Sequence, residues 1–178
     1  MEANYQIVEI EIAQAKARLP ELSNILVDAV DSGASVSFMM PFTLIDAMTY
    51  WQSILPAVAD GCTILLVALI EDRAVGTVQL GLATPPNQPH RADVAKLLVH
   101  RQARRRGIGR ALMEHLESIA LFQGRTLLSL DTLAGGVAEQ FYLSLGYVLV
   151  GTIPKYACLP HGQLGDTSIF YKQLIPKS

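Results

Sequence analysis

Between residues 92 and 122 the chain changes periodicity at one basic, glycine-containing turn, and that junction limits its folds more than any other stretch. Ala92–Val99 (ADVAKLLV) reads as a strand. Beyond it Ile108, Leu112, Leu116, Ile119 and Ala120 recur at helical spacing and share one face. Residues 104–109, Arg-Arg-Arg-Gly-Ile-Gly, join the two within the basic turn 101–106. Strands alternating with helices in this way predict a mixed α/β sheet built around this unit.

The junction also suggests chemistry. The first amides of a helix have no intrahelical partner and carry partial positive charge, so they suit an anion. Gly107 and Gly109 let the backbone approach a phosphate closely. The arginines add planar donors matched to phosphate oxygens. Two familiar phosphate-binding turns do not fit. A dinucleotide fingerprint needs a third glycine where Leu112 stands, and a P-loop needs Gly-Lys-Ser/Thr. A solvated basic turn is the remaining alternative on spacing alone.

The other elements fall around this unit. Residues 5–12 (YQIVEIEI) partly alternate and predict a strand. Leu22, Ile25, Leu26, Ala29 and Val30 mark a helix, with Pro20 near its start and Gly33 after its end. Leu44, Met48, Trp51 and Leu55 mark a second helix behind Thr43 as N-cap, which Pro56 is expected to break or kink. Thr63–Ile70 and Val75–Leu82 read as strands joined at Glu71-Asp72-Arg73, with a loop over Ala83–Pro89. Thr126–Leu130 follows as a strand ending at Asp131, then a helix bearing Val137, Phe141 and Leu145 up to Gly146. Tyr147–Ile153 and Ser168–Gln173 close the pattern as strands around a long loop, Pro154–Asp166. The predicted order is β-α-α-β-β-β-α-β-α-β-β.

A chain of 178 residues, 51% apolar, fits one domain spanning 1–178 with a core that needs no disulfide or metal. Cys62 and Cys158 lack metal-ligand or redox spacing, and His90, His100, His115 and His161 are scattered, so no metal is expected. A net charge of −2 offers no general attraction to nucleic acid or anionic membranes. The longest apolar run, Cys62–Ile70, is far below the ~20 residues that span a bilayer, and the first residues carry acids where a signal peptide carries bases. The expectation is a cytoplasmic protein.

Arg104-x-x-Gly107-x-Gly109 resembles the Q/R-x-x-G-x-G/A motif of the GNAT acetyltransferase superfamily, at that family's strand-to-helix junction. Ala138-x-x-Phe141-Tyr142-x-x-x-Gly146-Tyr147 is similar to its second signature, and ADVAKLLV to its central strand. GASVSFMM (33–40), the Trp51 region, DTLAGGVAEQFY (131–142) and the 154–162 segment resemble the tabtoxin-resistance subgroup.

The resemblance implies direct transfer of acetyl from acetyl-CoA to an amine. Pyrophosphate would sit on Arg104, Arg105, Arg106, Gly107, Ile108, Gly109 and Arg110, and pantetheine along Leu97, Leu98 and Val99, where the strands at 92–99 and 126–131 splay apart. A backbone N–H at the splay would polarise the thioester carbonyl.

An alkyl ammonium must lose a proton before it attacks, and a carboxylate can take it. Asp93 stands eleven residues before Arg104, where some histone-acetylating relatives carry a glutamate base; Asp131 ends the next strand. Each also reads as an ordinary acid, Asp131 in a turn or cap and Asp93 exposed on a strand. Tyr142 matches the family tyrosine that protonates the departing thiolate, or else packs beside pantetheine. Phe38, Met39, Trp51 and Tyr156 are the acceptor-side candidates, each with a packing role as its alternative.

The acceptor that the subgroup implies is a small amine, such as the amino-acid-like toxin tabtoxinine-β-lactam, with an antibiotic-resistance role. A protein or peptide N-acetyltransferase and a non-catalytic acetyl-CoA-binding regulator are the rivals. A nucleic-acid binder would need a wider basic face than one turn. The apolar bias leaves room for a homodimer.

Overall fold

The computed structural model describes residues 4–175. Seven strands form one mixed sheet. They are β1 (Gln6–Glu9), β2 (Thr63–Ile70), β3 (Arg73–Gly81), β4 (Arg91–Val99), β5 (Leu127–Leu133), β6 (Val148–Cys158) and β7 (Leu164–Gln173), in the spatial order β1-β2-β3-β4-β5-β7-β6. Only β4 and β5 run parallel. Helices α1 (Ile12–Ala17), α2 (Leu19–Asp31) and α3 (Leu44–Ala59) precede β2, α4 (Ile108–Phe122) lies between β4 and β5, and α5 (Val137–Ser144) follows β5.

Helices cover both faces of the sheet, which explains the uninterrupted apolar run in β2. Ile64, Leu66 and Ala68 join the cluster under α4 and α5, while Leu65 and Val67 join the one under α1, α2 and α3. In β4 this alternation changes phase. Ala92 and Val94 face the α4 side, but beyond Lys96 it is Leu97 and Val99 that pack there, and Leu98 enters the opposite cluster. The cause is a bulge. Gln79 pairs with Ala95 and Thr77 with Leu98, so β4 carries one extra residue, and Lys96 has φ +51°.

The β4–β5 ladder is short. It holds Arg91↔Leu127, Ala92↔Leu128 and Asp93↔Ser129 and goes no further, leaving Val94–Val99 and Leu130–Leu133 to diverge. On its other side β5 stays paired with β7 from Leu127 to Leu133. The expected splay is therefore present.

Three local expectations change. The first strand, expected over 5–12, ends at Glu9, and Ile12 opens the short helix α1. Pro56 does not break α3, which runs to Ala59. Its ring is exposed in the last turn, while Trp51 and Leu55 bury the opposite face. The 154–166 stretch is mostly paired: β6 extends to Cys158 and β7 begins at Leu164, leaving a tight turn between them. Proline is tolerated because β6 is the outer strand, and a register shift between Ile153 and Ala157 absorbs the irregularity at Pro154 and Lys155. Thr43 caps α3 as expected, in a reciprocal pair with Asp46.

Candidate active site

Where β4 and β5 diverge, a cavity of 510 Å³ opens between the end of α2, the two strands and the start of α5. The residues Val94–Val99 form one wall, Asp131–Leu133 and Gly136–Ala138 the other, with Tyr142 and Arg104 along it and Ser32–Ser37 above. Beyond Asp93 the β5-facing edge of β4 has lost its ladder partner, so Leu97, Leu98 and Val99 offer backbone groups to a strand-like ligand.

At the inner end of β4 the chain makes a 3₁₀ turn, Arg101–Ala103, before entering α4. Arg105 at φ +63° and Gly107 at φ +79° curl the backbone around the start of α4, with Gly107 as its N-cap. No side chain caps this helix end, so its first amides stay available to an anion. Arg105, Arg106 and Arg110 are exposed around it, while buried Ile108 anchors the turn in the core. The Gly109 Cα faces the Phe141 ring, where a β-carbon would sit 3.5 Å from Cζ. These residues fit a pyrophosphate: the φ > 0 backbone, the uncapped helix start and the guanidinium groups converge on one turn.

One residue that fixes this turn carries no motif. Asp28, on α2 and 7% exposed, accepts the Arg101 backbone N–H at 2.9 Å and the Arg101 guanidinium, and it takes Arg104 at 3.4 Å. Burial alone would raise its carboxyl pKa, but the Arg101 amide and guanidinium, with His100, hold it below the ordinary value. Arg104 also donates Nε–H to the Val99 carbonyl at 2.9 Å, so its side chain clamps the strand end. A buried acid on a helical face was the available sequence signal, but its partner lies 73 residues away.

The three catalytic candidates do not share one environment. Asp131 lies inside β5, exposed on the cavity wall. Its charge reaches both Tyr142 and Lys96. Tyr142 is buried, and burial followed by Asp131 pushes its phenol up to about 12. Asp93 does not line the cavity. It accepts the Ser129 hydroxyl at 2.5 Å and an Arg91 guanidinium N–H at 3.1 Å at the last paired rung.

The acceptor-side candidates also separate. Phe38 stacks at 4.6 Å on Phe42 and meets Tyr50 edge-on at 5.2 Å. Trp51 is 1% exposed and donates its indole N–H to the Leu22 carbonyl at 2.9 Å, so it belongs to the core between α2 and α3. Tyr156 is exposed on β6 and outside the cavity lining. Met39 is exposed on the loop between α2 and α3, and the next residue, Met40, donates its N–H to the Pro160 carbonyl at 2.8 Å, tying that loop to the β6–β7 turn. Lys96, which flanks this strand and reads by default as an exposed charge in the sequence, lines the cavity.

Among the described residues no cluster of metal-ligating side chains occurs, and no helix is long and apolar enough to cross a membrane.

The sheet thus opens between two parallel strands, next to an uncapped and basic helix start. The chain belongs to the GNAT acetyltransferase family, whose domain model matches residues 61–149. An N-acetyltransferase from Staphylococcus aureus Mu50 superposes with a TM-score of 0.78 at 17% identity, over 97% of this chain and 99% of that one. A ribosomal-protein-alanine N-acetyltransferase from Brucella melitensis gives 0.76 at 26% identity, over 95% and 99%. A putative acetyltransferase from Salmonella typhimurium, solved with its cofactor acetyl-CoA, gives 0.76 at 17% identity, over 98% and 96%. The protein is an acetyltransferase, with acetyl-CoA as the donor.

Proposed function

We propose that this enzyme, a single domain, N-acetylates a small amine held between Asp131 and the 33–42 loop. One observation carries the reading: Asp131 lies on the cavity wall at the strand divergence, with Tyr142 close enough to feel its charge. Acetyl-CoA supplies an activated acetyl group. Leu97, Leu98 and Val99 would hold its pantetheine through backbone groups, and the Arg104–Arg110 turn its pyrophosphate. A backbone N–H of β4 at the splay would face the thioester oxygen. Asp131 binds the acceptor ammonium and takes its proton, directly or through one water. Tyr142, protonated at neutral pH, returns a proton to the sulfur. A thiol has a reference pKa of about 8.5, so this last contribution is modest.

Asp93 lies outside the cavity and acts in this reading as a positioning residue. Its bond to Ser129, two residues before Asp131 on the same face of β5, fixes the strand from which the base projects. Phe38 belongs to the acceptor side through its contact with Tyr50, and buried Trp51 backs Tyr50 from within α3; Tyr156 stays exposed on β6, outside the cavity. An amino-acid-like toxin such as tabtoxinine-β-lactam is the acceptor class suggested by the tabtoxin-resistance resemblance, and a resistance role would follow. The enzyme is placed in the cytoplasm, where acetyl-CoA is made available. Its exposed apolar edge on β6, with Val148, Leu149, Val150 and Ile153, suits a homodimer.

A protein acceptor is the second reading, favoured by the likeness to the Brucella ribosomal-protein-alanine N-acetyltransferase. Release of free CoA thiol, followed with amines, amino acids and short peptides, separates the two. Small acceptors should exceed peptides in kcat/KM; a peptide that dominates would select the protein reading. Asp131→Asn should lower kcat by about 100-fold or more, with acetyl-CoA KM intact. An unchanged kcat would remove Asp131 as the base.

A further inference from the structure

Lys96 occupies a position that an ordinary surface lysine does not need. It is the bulge residue of β4, held at φ +51°, a left-handed conformation that a residue with a side chain rarely adopts. The bulge has a directional effect. Ala92 and Val94 point toward α4, and in a regular strand residue 96 would follow them into that apolar cluster. With the extra residue in place, the Lys96 ammonium instead sits 5.6 Å from the centroid of Phe38 and 5.5 Å from that of Tyr50, with the Ser37 hydroxyl at 3.5 Å.

That pocket holds the charge without neutralising it. Among the described residues no carboxylate lies within 4.0 Å of the Lys96 ammonium. Burial lowers its proton affinity, and the more distant Asp131 opposes that loss. Two aromatic faces favour a cation but accept no hydrogen bond along its N–H directions. Tyr50 is fixed in turn by Gln79, whose amide N–H reaches the phenol oxygen at 3.0 Å. The cavity thus has one acid on the β5 wall, Asp131, and one base on the β4 wall, Lys96.

We propose that Lys96 determines acceptor specificity by binding a carboxylate of the acceptor, so that the substrates of this enzyme are amino acids rather than simple amines. This rests on the reading of the Asp131 cavity as the acceptor site. The amine meets Asp131 and the carboxylate meets Lys96, so charge complementarity orients the nucleophile toward the thioester. Ser37 adds a hydroxyl to the same oxygens, and Phe38 and Tyr50 hold the ammonium in place.

The test compares L-amino acids with their own carboxamides in the CoA-release assay, using wild-type enzyme, Lys96→Met and Lys96→Arg. The free acids should exceed their amides in kcat/KM by about tenfold or more in the wild type, as expected for a charge-assisted contact. Lys96→Met should erase that preference, mainly through the acceptor KM, with acetyl-CoA KM unchanged. Lys96→Arg should restore part of it. Amides that match the acids in the wild type, or a preference that survives in Lys96→Met, would overturn the proposal. If neither kind of compound accepts acetyl, the small-amine reading fails by itself. The same pairs are then followed by thermal shift with CoA present. Acids that stabilise wild type but not Lys96→Met uphold the Lys96 site, and equal shifts in both remove it.

Discussion

The Asp28 carboxylate on α2 is joined twice to Arg101, in the turn after β4, once through the Arg101 backbone N–H and once through its guanidinium. The carboxylate is buried, and it fixes the turn from which α4 starts. Asp28→Asn should therefore loosen that turn. The expected outcome is a loss of about 2 kcal/mol in urea unfolding, as for a charged hydrogen bond, and a raised acetyl-CoA KM with little change in kcat. Because folding depresses this carboxyl's pKa, its contribution is complete above the unfolded value of about 4 and is lost as pH falls through the lower folded value. Wild type should thus lose more stability than Asp28→Asn below about pH 4.

Gly107 tests the cradle through two substitutions. At φ +79° a β-carbon is strained, although the nearest atom it would meet, the Tyr5 hydroxyl, is 3.5 Å away. Gly107→Ala should cost about 1–2 kcal/mol of stability and retain acetyl-CoA binding. Gly107→Glu should lose binding in calorimetry, because it sets a carboxylate at an anion site. Equal affinity in both variants would remove the turn from the donor site.

Tyr142 should be silent in the working range of the enzyme. Its phenol, raised to about 12 by burial and Asp131, stays protonated, so no alkaline limb below about pH 10 should come from it. Tyr142→Phe should lower kcat by about tenfold and leave both KM values near those of wild type. The folded pKa lies above the unfolded one, so its contribution to stability is intact below about pH 10 and fades as pH rises toward 12. Tyr142→Phe should lack that alkaline loss, which a pH series of thermal melts would show.

Trp51 distinguishes packing from recognition. Fully buried with its N–H on the Leu22 carbonyl, it should cost about 3–5 kcal/mol as Trp51→Ala. Trp51→Phe should melt earlier yet keep the ranking of acceptors, measured by CoA release. A changed ranking at unchanged melting temperature would place Trp51 in the acceptor site.

The strand-to-helix junction was legible because its signal is local: periodicity changes from β to α at two glycines and three arginines. The strand β2 was equally plain in its apolar run. What escaped depends on partners distant in the chain. The 154–166 stretch looks like a loop by its prolines and glycines, and only its place beside β7 at the sheet edge makes it a strand. Lys96 reads as an exposed charge until the bulge turns it to the opposite face, and a bulge leaves no mark in composition. Asp28 gains its meaning from Arg101. Trp51, an acceptor candidate by position, is enclosed by α2.

The bond from Met40 to Pro160 ties together two stretches of chain that lie far apart in sequence. The 33–42 loop carries Ser37 and Phe38, while the β6–β7 turn carries His161 and Gly162 on the solvent side. Sequence drift at the outer turn would therefore be felt at the lysine pocket without any residue of the pocket changing. Enzymes with the same donor site and the same walls can in this way diverge in what they acetylate, through substitutions far from the substrate.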